Sequence, residues 1–233
     1  MNQNEFLEEL KKIDIFPTKL QLEQLEKYYN LLIEYNKVMN LTGITEKKDV
    51  YLKHYYDSLT IVKVINLKDN ITLCDIGTGA GFPGLVLKII FPNLKITLVD
   101  CLNKRIKFLN TVINELGLKD IETVHSRIED YGKINREKFD IVTARAVAPL
   151  NILLEYSIPI VKNNAYFIPL KGNLLNEPNF ESALKKLNCT IEKQEKFVLP
   201  IENSNRMILL IKKNKITKKI FPRNNIEIKN KPL

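Results

Sequence analysis

The chemistry of this chain centres on a cluster of glycines: four of its eight glycines, Gly77, Gly79, Gly81 and Gly84, lie within eight consecutive residues. The apolar run before them predicts a strand, and residues 85–91 after them predict a helix. A glycine-rich turn between a strand and a helix allows positive φ angles and lets a ligand approach the backbone closely. We therefore interpret this stretch as the binding loop of a nucleotide-type cofactor.

Three interpretations of the loop stay open. Gly79, Gly81 and Gly84 match the dinucleotide pattern G-x-G-x-x-G, and Asp100 follows at the distance of a ribose-binding acid. Asp75, however, precedes the first glycine by two residues and would repel a pyrophosphate. S-adenosylmethionine carries no phosphate, and its cationic groups would be attracted by that carboxylate. The loop thus favours a methyltransferase over a dinucleotide-dependent oxidoreductase, and a degenerate turn without a ligand is the third possibility.

Three further positions follow predicted strands, where loops face the ligand crevice of such sheets. We expect Glu129 and the backbone of residues 126–129 to read the adenine edge; a surface carboxylate is the alternative. Arg145 stands between two alanines and is suited to the methionine carboxylate or a substrate phosphate, or else to a structural salt bridge. Lys171 would face an RNA phosphate or solvent.

Residues for acid–base or covalent chemistry are not apparent. The segment after the fourth predicted strand has no Asn-Pro-Pro-Tyr motif, and no cysteine follows that strand to attack a pyrimidine ring. A purine N7 carries a lone pair and no proton, so its methylation needs only positioning and desolvation. We assign no catalytic residue. His54 and Asp57 lie three residues apart, and we attribute their spacing to Asp57 or Ser58 capping the next helix.

Alternating patterns predict the elements that hold these residues. Thr18 and Gln21 form a capping box that begins a long amphipathic helix. From residue 71 onward strands and helices alternate, and the last two strands have no helix between them. This predicts an α/β, Rossmann-like, seven-stranded sheet with an antiparallel final strand, as in class I S-adenosylmethionine-dependent methyltransferases. We expect an N-terminal helical cap (1–66), a methyltransferase domain (67–213) and a basic tail (214–233).

Composition bounds the location and the partners. The net charge is +9, and residues 212–233 hold eight basic side chains against one acidic side chain. A flexible basic end suits contact with an RNA backbone, and a solvated terminus is the alternative. Three unpaired cysteines, no export signal and no long apolar run predict a cytoplasmic protein away from membranes. We also expect a monomer. The two histidines have no ligand-type spacing, so we predict no metal site.

Motifs along nearly the whole chain resemble the RsmG (GidB) family of bacterial small-subunit ribosomal RNA guanine-N7 methyltransferases. The matching segments are residues 40–42, His54 with residues 57–59, residues 75–84, Asp100, residues 126–129, residues 143–148, Lys171 with Gly172, Pro222 with Arg223, and residues 231–233. The resemblance implies S-adenosylmethionine as methyl donor. It also implies that the acceptor is a guanine of 16S ribosomal RNA, as naked RNA or within the small subunit.

The resemblance also implies site residues. The cofactor contacts of the family fall on Gly77, Phe82, Ile128, Glu129 and Arg145. The chain departs from the family mainly in its tail, where the usual Pro-Arg-Arg segment reads Pro-Arg-Asn-Asn from residue 222.

Overall fold

A seven-stranded sheet forms the centre of the computed structural model, which describes residues 1–67, 70–172 and 177–233. Its strands in spatial order follow the sequence β3-β2-β1-β4-β5-β7-β6. They are β1 (Thr72–Ile76), β2 (Lys95–Asp100), β3 (Ile121–His125), β4 (Phe139–Arg145), β5 (Val161–Lys171), β6 (Cys189–Val198) and β7 (Asn205–Lys213).

The direction of the strands confirms the predicted topology. Strands β1 to β5 pair in parallel, whereas β7 runs antiparallel to both β5 and β6. Because β1 lies between β2 and β4, the chain order reverses beside the glycine loop. Ligands of open α/β sheets bind at such a reversal, outside the carboxyl ends of the strands.

The first 63 residues form a group of helices that shares a hydrophobic core with the sheet. They are α1 (Gln3–Lys11), α2 (Lys19–Met39), α3 (Lys47–Asp49), a π-helical stretch (Val50–Tyr56), α4 (Asp57–Leu59) and a 3₁₀ turn (Thr60–Lys63). The predicted capping box at Thr18 and Gln21 is present, and α2 buries Leu25, Tyr28 and Leu32. These side chains share one hydrophobic core with the sheet, so the helical segment is continuous with the domain.

The remaining helices lie on both faces of the sheet. They are α5 (Gly84–Ile90), α6 (Asn103–Glu115), α7 (Ile128–Ile134), α8 (Leu150–Ser157), a 3₁₀ turn (Ile158–Ile160), α9 (Glu181–Lys186) and α10 (Asn225–Asn230). Helices α5 and α6 share the core of the N-terminal helices, whereas α7, α8, α9 and α10 contribute to a second core. Across the described ranges, no helix combines the length and the apolar character needed to cross a membrane.

The basic C-terminal segment is folded onto the domain, unlike the flexible end expected from its charge. Ile228 of α10 is fully buried in the second core, and Phe221 is buried as well. The guanidinium of Arg223 binds both carboxylate oxygens of Glu155, at 2.8 Å and 2.6 Å, and Glu155 is fully buried in α8. Apolar burial and this ion pair together outweigh the repulsion between the lysines of the segment.

The ion pair of Arg223 and Glu155 predicts a large effect on stability. We expect Arg223→Ala to lower the free energy of unfolding by about 3 kcal/mol or more, because Glu155 would be left buried without its cation. Chemical denaturation measures the change. The double variant Glu155→Leu/Arg223→Leu should recover most of the loss, and Lys12→Ala, which removes an exposed ion pair, should change stability by less than about 1 kcal/mol. A double variant as unstable as Arg223→Ala would contradict this account.

Candidate active site

The glycine loop after β1 folds with three residues in the left-handed region. Gly77, Gly79 and Gly81 have φ angles of 64°, 62° and 102°. A Cβ atom at Gly77 would lie 2.7 Å from Val147 Cγ2, and one at Gly81 would lie 2.4 Å from Leu85 Cδ1. Both the backbone conformation and the close packing therefore require glycine at these two positions.

The buried side chain of Asp75 binds two residues of this loop. Its Oδ2 atom accepts a hydrogen bond from Thr78 Oγ1 at 2.6 Å and another from the amide of Gly84 at 2.9 Å. The side chain is fully buried and is absent from the lining of the cavity described next, and its Oδ1 atom has no hydrogen-bond partner among the described residues. Burial raises the pKa of Asp75 to about 7, although both hydrogen bonds act in the opposite direction.

The position of Asp75 bears on the choice of cofactor. Gly84 is the first residue of α5, and the amides at a helix N-terminus are where a dinucleotide would place its pyrophosphate. Here the chain's own carboxylate already binds that amide. Asp75 thus disfavours a dinucleotide because it already engages one of the amides that a pyrophosphate would need.

A cavity of about 620 Å³ opens at the carboxyl ends of β1 to β4. We call it the cofactor cavity, and its volume falls within the range of small-molecule sites. Its lining residues are Gly77, Asp100, Cys101, Arg105, Arg127, Ile128, Glu129, Ala146, Val147, Ala148, Pro149, Ile152, Tyr156, Asn225 and Lys229.

Four of the expected cofactor contacts line this cavity, namely Gly77, Asp100, Ile128 and Glu129. Asp100 accepts hydrogen bonds from the amides of Gly79 and Leu102, both at 2.9 Å, and from Arg105 at 3.2 Å. A carboxylate has about four lone-pair sites, so a ribose hydroxyl can still donate to it. Asp100 therefore both fixes the loop and presents an acceptor to a ligand.

The other expected contacts lie outside the lining of the cofactor cavity; they are Asp75, Gly79, Gly81, Phe82 and Arg145. The sequence reasoning in turn missed Arg105, Tyr156, Asn225 and Lys229, which do line it. No local pattern marks these four, because they lie on helices whose sides are selected by tertiary packing alone.

A second cavity of about 470 Å³ adjoins the first. We call it the cationic cavity, and its lining residues are Ile44, Lys53, His54, Asp57, Arg145, Ala146, Leu170, Lys171, Gly172, Glu177 and Arg206. Ala146 lines both cavities, and its φ of 55° is unusual for a residue with a Cβ atom. The two cavities therefore meet at a small, strained residue directly after β4.

Arg145 connects β4 to the π-helical stretch. Its guanidinium donates to the carbonyl of Lys53 at 2.7 Å, to Asp57 Oδ2 at 3.1 Å and to His54 Nδ1 at 3.0 Å. It also lies 5.3 Å from the centre of the Phe82 ring. The structure therefore shows the salt bridge considered as the alternative for Arg145, and it places Arg145 and Phe82 beside the cationic cavity.

Asp57 joins two distant parts of the chain. Its carboxylate binds Arg145 through Oδ2 and Arg206 of β7 through Oδ1, each at 3.1 Å. No side chain caps α4, so the attribution of Asp57 or Ser58 to a helix cap was wrong. A buried carboxylate shared by two arginines is satisfied on both oxygens, which fixes both guanidinium groups.

Lys171 is also engaged within the protein. Its ammonium group forms an ion pair with Glu177 and donates to the carbonyl of Ala148 at 3.0 Å. Only 10% of its side chain is exposed. Lys171 thus contributes charge to the wall of the cationic cavity and is held there.

His54 is a buried, neutral imidazole. Its Nδ1 accepts from Arg145, its Nε2 lies 2.9 Å from Thr42 Oγ1, and its ring stacks on Phe82 at 4.2 Å. Burial, and next the charge of Arg145, lower the pKa of His54 to about 3. Both ring nitrogens have partners, so His54 orients its neighbours.

The low pKa of His54 predicts a loss of stability in acid. An unfolded histidine titrates near pH 6.5, so between about pH 6.5 and pH 3 the unfolded chain binds the additional proton and stability falls with pH, by up to about 1.4 kcal/mol per unit. The raised pKa of Asp75 acts in the opposite direction but is common to wild type and His54→Gln. Denaturation from pH 7 to 4 should show the stability advantage of wild type over His54→Gln shrinking below pH 6.5. An advantage that stays constant would contradict the buried neutral form.

Comparison with known proteins assigns the chain to a family. Residues 21–209 match the family model GidB, described as rRNA small subunit methyltransferase G. The chain is 48% identical to ribosomal RNA small subunit methyltransferase G of Bacillus velezensis, over 96% of this chain and 95% of that protein. It is 47% identical to the protein of the same name from Lactobacillus helveticus, over the full length of both.

Solved structures agree with the fold. The sheet matches that of a SAM-dependent methyltransferase from Aquifex aeolicus with a TM-score of 0.52 and 18% identity, over 71% of this chain and 93% of that one. The predicted class I methyltransferase fold is thus confirmed. From the match of the family model and the full-length identity to its members, the chain belongs to the rRNA small subunit methyltransferase G family.

Proposed function

We propose that this protein uses S-adenosylmethionine to methylate N7 of a guanine in 16S ribosomal RNA. The observation that carries the proposal is the pair of cavities that meet at Ala146. One has the size and polarity for an adenosine-bearing cofactor, and the other has four cationic side chains for a phosphate-rich acceptor. Membership in the family supports the same reaction.

The lining of the cofactor cavity matches the parts of S-adenosylmethionine. Asp100 supplies an acceptor for the ribose hydroxyls, Ile128 and Ile152 give apolar walls for adenine, and Glu129 is buried at the same side. Gly77 leaves the loop backbone open to the methionine arm. When bound, the cofactor supplies a methyl group on a sulfonium; the acids of this lining are Asp100 and Glu129, and its cations are Arg105, Arg127 and Lys229.

The cationic cavity suits an RNA acceptor. Lys53, Arg145, Lys171 and Arg206 outnumber its acids Asp57 and Glu177. Since these cations are held by ion pairs, their positions are fixed before RNA binds, which lowers the entropy cost of orienting the acceptor. Ala146 places only a methyl group at the junction of the two cavities.

The site supports transfer without a base. Guanine N7 carries a lone pair and no proton, so no proton must be removed as the bond to the methyl carbon forms. His54 is the histidine of the cationic cavity, and both its nitrogens are engaged by Arg145 and Thr42. The chain's task is then to position the acceptor nitrogen and to exclude water.

The acceptor guanine lies in small-subunit ribosomal RNA, presented as free RNA or within the subunit, and the enzyme acts in the cytoplasm where subunits assemble. The names of the relatives support the RNA class.

The direct test is methyl transfer to RNA from a strain that lacks this protein. Labelled S-adenosylmethionine should transfer its methyl group to small-subunit RNA or subunits, and cleavage at N7-methylguanine should map one position. RNA from the parent strain, already modified, should accept little label. Label in an exocyclic amine or a pyrimidine would refute the proposed position, and binding of the RNA without transfer would favour a binding protein with a vestigial loop.

The loop gives a matched pair of glycine variants. Gly77→Ala and Gly117→Ala each place a Cβ atom at a positive φ, of 64° and 62°, but only the former meets Val147, since Gly117 has open space. Both should lose about 1 kcal/mol of stability from backbone strain, and Gly77→Ala should lose more because its Cβ atom also meets Val147. We expect only Gly77→Ala to lose cofactor affinity, by about tenfold or more, in calorimetry with S-adenosylhomocysteine. Equal affinities of the two variants for S-adenosylhomocysteine would contradict the assignment of the glycine loop to the cofactor site.

Cys101 offers a test without any substitution. It is exposed and lines the cofactor cavity, whereas Cys74 and Cys189 are buried. Alkylation of the native protein should therefore label Cys101 first, and S-adenosylhomocysteine should slow labelling in proportion to the fraction of protein occupied. Mass spectrometry identifies the labelled residue, and the same reaction without S-adenosylhomocysteine serves as the control. Labelling that a saturating ligand does not slow would contradict the location of the cofactor.

A further inference from the structure

The C-terminal segment, residues 214–233, forms one wall of the cofactor cavity. Asn225 and Lys229 of α10 line the cavity beside α7 and α8. The match to the family model ends at residue 209, so this wall lies beyond it. We propose that the segment is part of the cofactor site and that Asn225 and Lys229 contact the adenosyl half of the cofactor. The inference rests on the proposed function, because the proposed function supplies the identity of the ligand in the cavity.

Arg223 holds α10 in place at both ends. It precedes the helix and binds the buried carboxylate of Glu155 through Nε and Nη2. The same Nη2 donates to the carbonyl of Lys231, just after the helix, at 3.0 Å. One guanidinium thus links α8 to the start and the end of α10.

Further contacts fix the approach to the helix. Arg136 donates to the carbonyls of Thr217, Lys218 and Phe221. A Cβ atom at Gly132 of α7 would lie 3.2 Å from Pro222 Cγ, so α7 and the segment are in close contact. The segment is therefore held in place by contacts within the protein, so this wall of the cavity is preorganised for a ligand.

The polar groups of α10 match the adenosyl half in chemistry. The hydroxyl of Tyr156 donates to Asn225 Oδ1 at 2.7 Å, which fixes the orientation of the amide. The side-chain nitrogen of Asn225, Nδ2, has no hydrogen-bond partner within the described part of the chain. The same holds for the ammonium group of Lys229. Adenine and ribose present several acceptor atoms, and these two donors line the same cavity as Ile128 and Glu129.

Position separates Lys229 from the other exposed cations of the segment. Lys215, Lys218, Lys219 and Lys231 are exposed as well, but among these five lysines Lys229 is the one in the lining of the cavity. A general role of the segment in RNA binding would involve these lysines alike, whereas a role in cofactor binding singles out Lys229. The matched variants below use this difference.

The test is calorimetric titration of S-adenosylhomocysteine into the full-length protein. We expect Asn225→Ala and Lys229→Ala each to weaken affinity about threefold to tenfold, the effect of one lost hydrogen bond. The control Lys219→Ala removes the same charge from the same segment outside the cavity and should bind like wild type. Retention of small-subunit RNA without cofactor should stay within about twofold for all three variants. Thermal melts verify that each variant is folded.

Chemical labelling gives a second readout on the wild-type chain. An amine-reactive reagent should label Lys229 more slowly when S-adenosylhomocysteine is bound, while labelling of Lys219 should not change.

The outcomes separate this inference from the proposed function. Wild-type affinity in both Asn225→Ala and Lys229→Ala, with Lys229 unprotected, overturns the inference and leaves the proposed function intact. Equal loss of RNA retention in Lys229→Ala and Lys219→Ala with unchanged cofactor affinity also overturns it, in favour of an RNA contact. A wild-type protein that is folded but binds no S-adenosylhomocysteine overturns both.

Discussion

The buried carboxylate of Asp75 is the interaction on which the cofactor side of the structure depends. It fastens both ends of the glycine loop, through Thr78 and the amide of Gly84. The loop in turn is tied to β2, because Gly79 donates to Asp100. The amides of Gly77 and Thr78 also donate to the carbonyl of Val99 in β2, so the loop is bonded to both β1 and β2. The two hydrogen bonds to Asp75 offset part of the cost of burying its carboxyl group, and the remaining cost appears as a pKa raised to about 7.

A second polar centre organises the acceptor side. Arg145 and Asp57 join the end of β4, the π-helical stretch and the start of β7, three parts that are far apart in sequence. The N-terminal helices are therefore a component of the site, since they supply Lys53, His54 and Asp57 to the cationic cavity. A π-helical stretch is rare and often occurs at functional sites, where the altered winding redirects side chains. Here it lies where the helical segment meets Arg145.

The distribution of charge takes a different meaning once the chain is folded. Much of the excess of cations lies in the last 22 residues, yet Lys213 is fully buried against Glu137 and Arg223 is paired with Glu155. The four cations of the cationic cavity come from the N-terminal helices, β4, β5 and β7, whereas Lys229 of the C-terminal segment lines the cofactor cavity. Net charge therefore reports affinity for nucleic acid in general, and the fold determines which cations face an acceptor.

The sequence alone determined the direction of the strands, the glycine loop, and the placement of Asp100 and Glu129 after strands at the crevice, because hydrophobic periodicity and strand-loop-helix signals are local. Ile128 was added by the resemblance to the family. The sequence did not determine where Phe82 and Arg145 point, that Asp57 binds an arginine 149 residues away, or that Asn225 and Lys229 line the cofactor cavity. These features arise from packing between distant segments. A single side chain carries no local pattern that states its distant partner, so only the tertiary structure decided them.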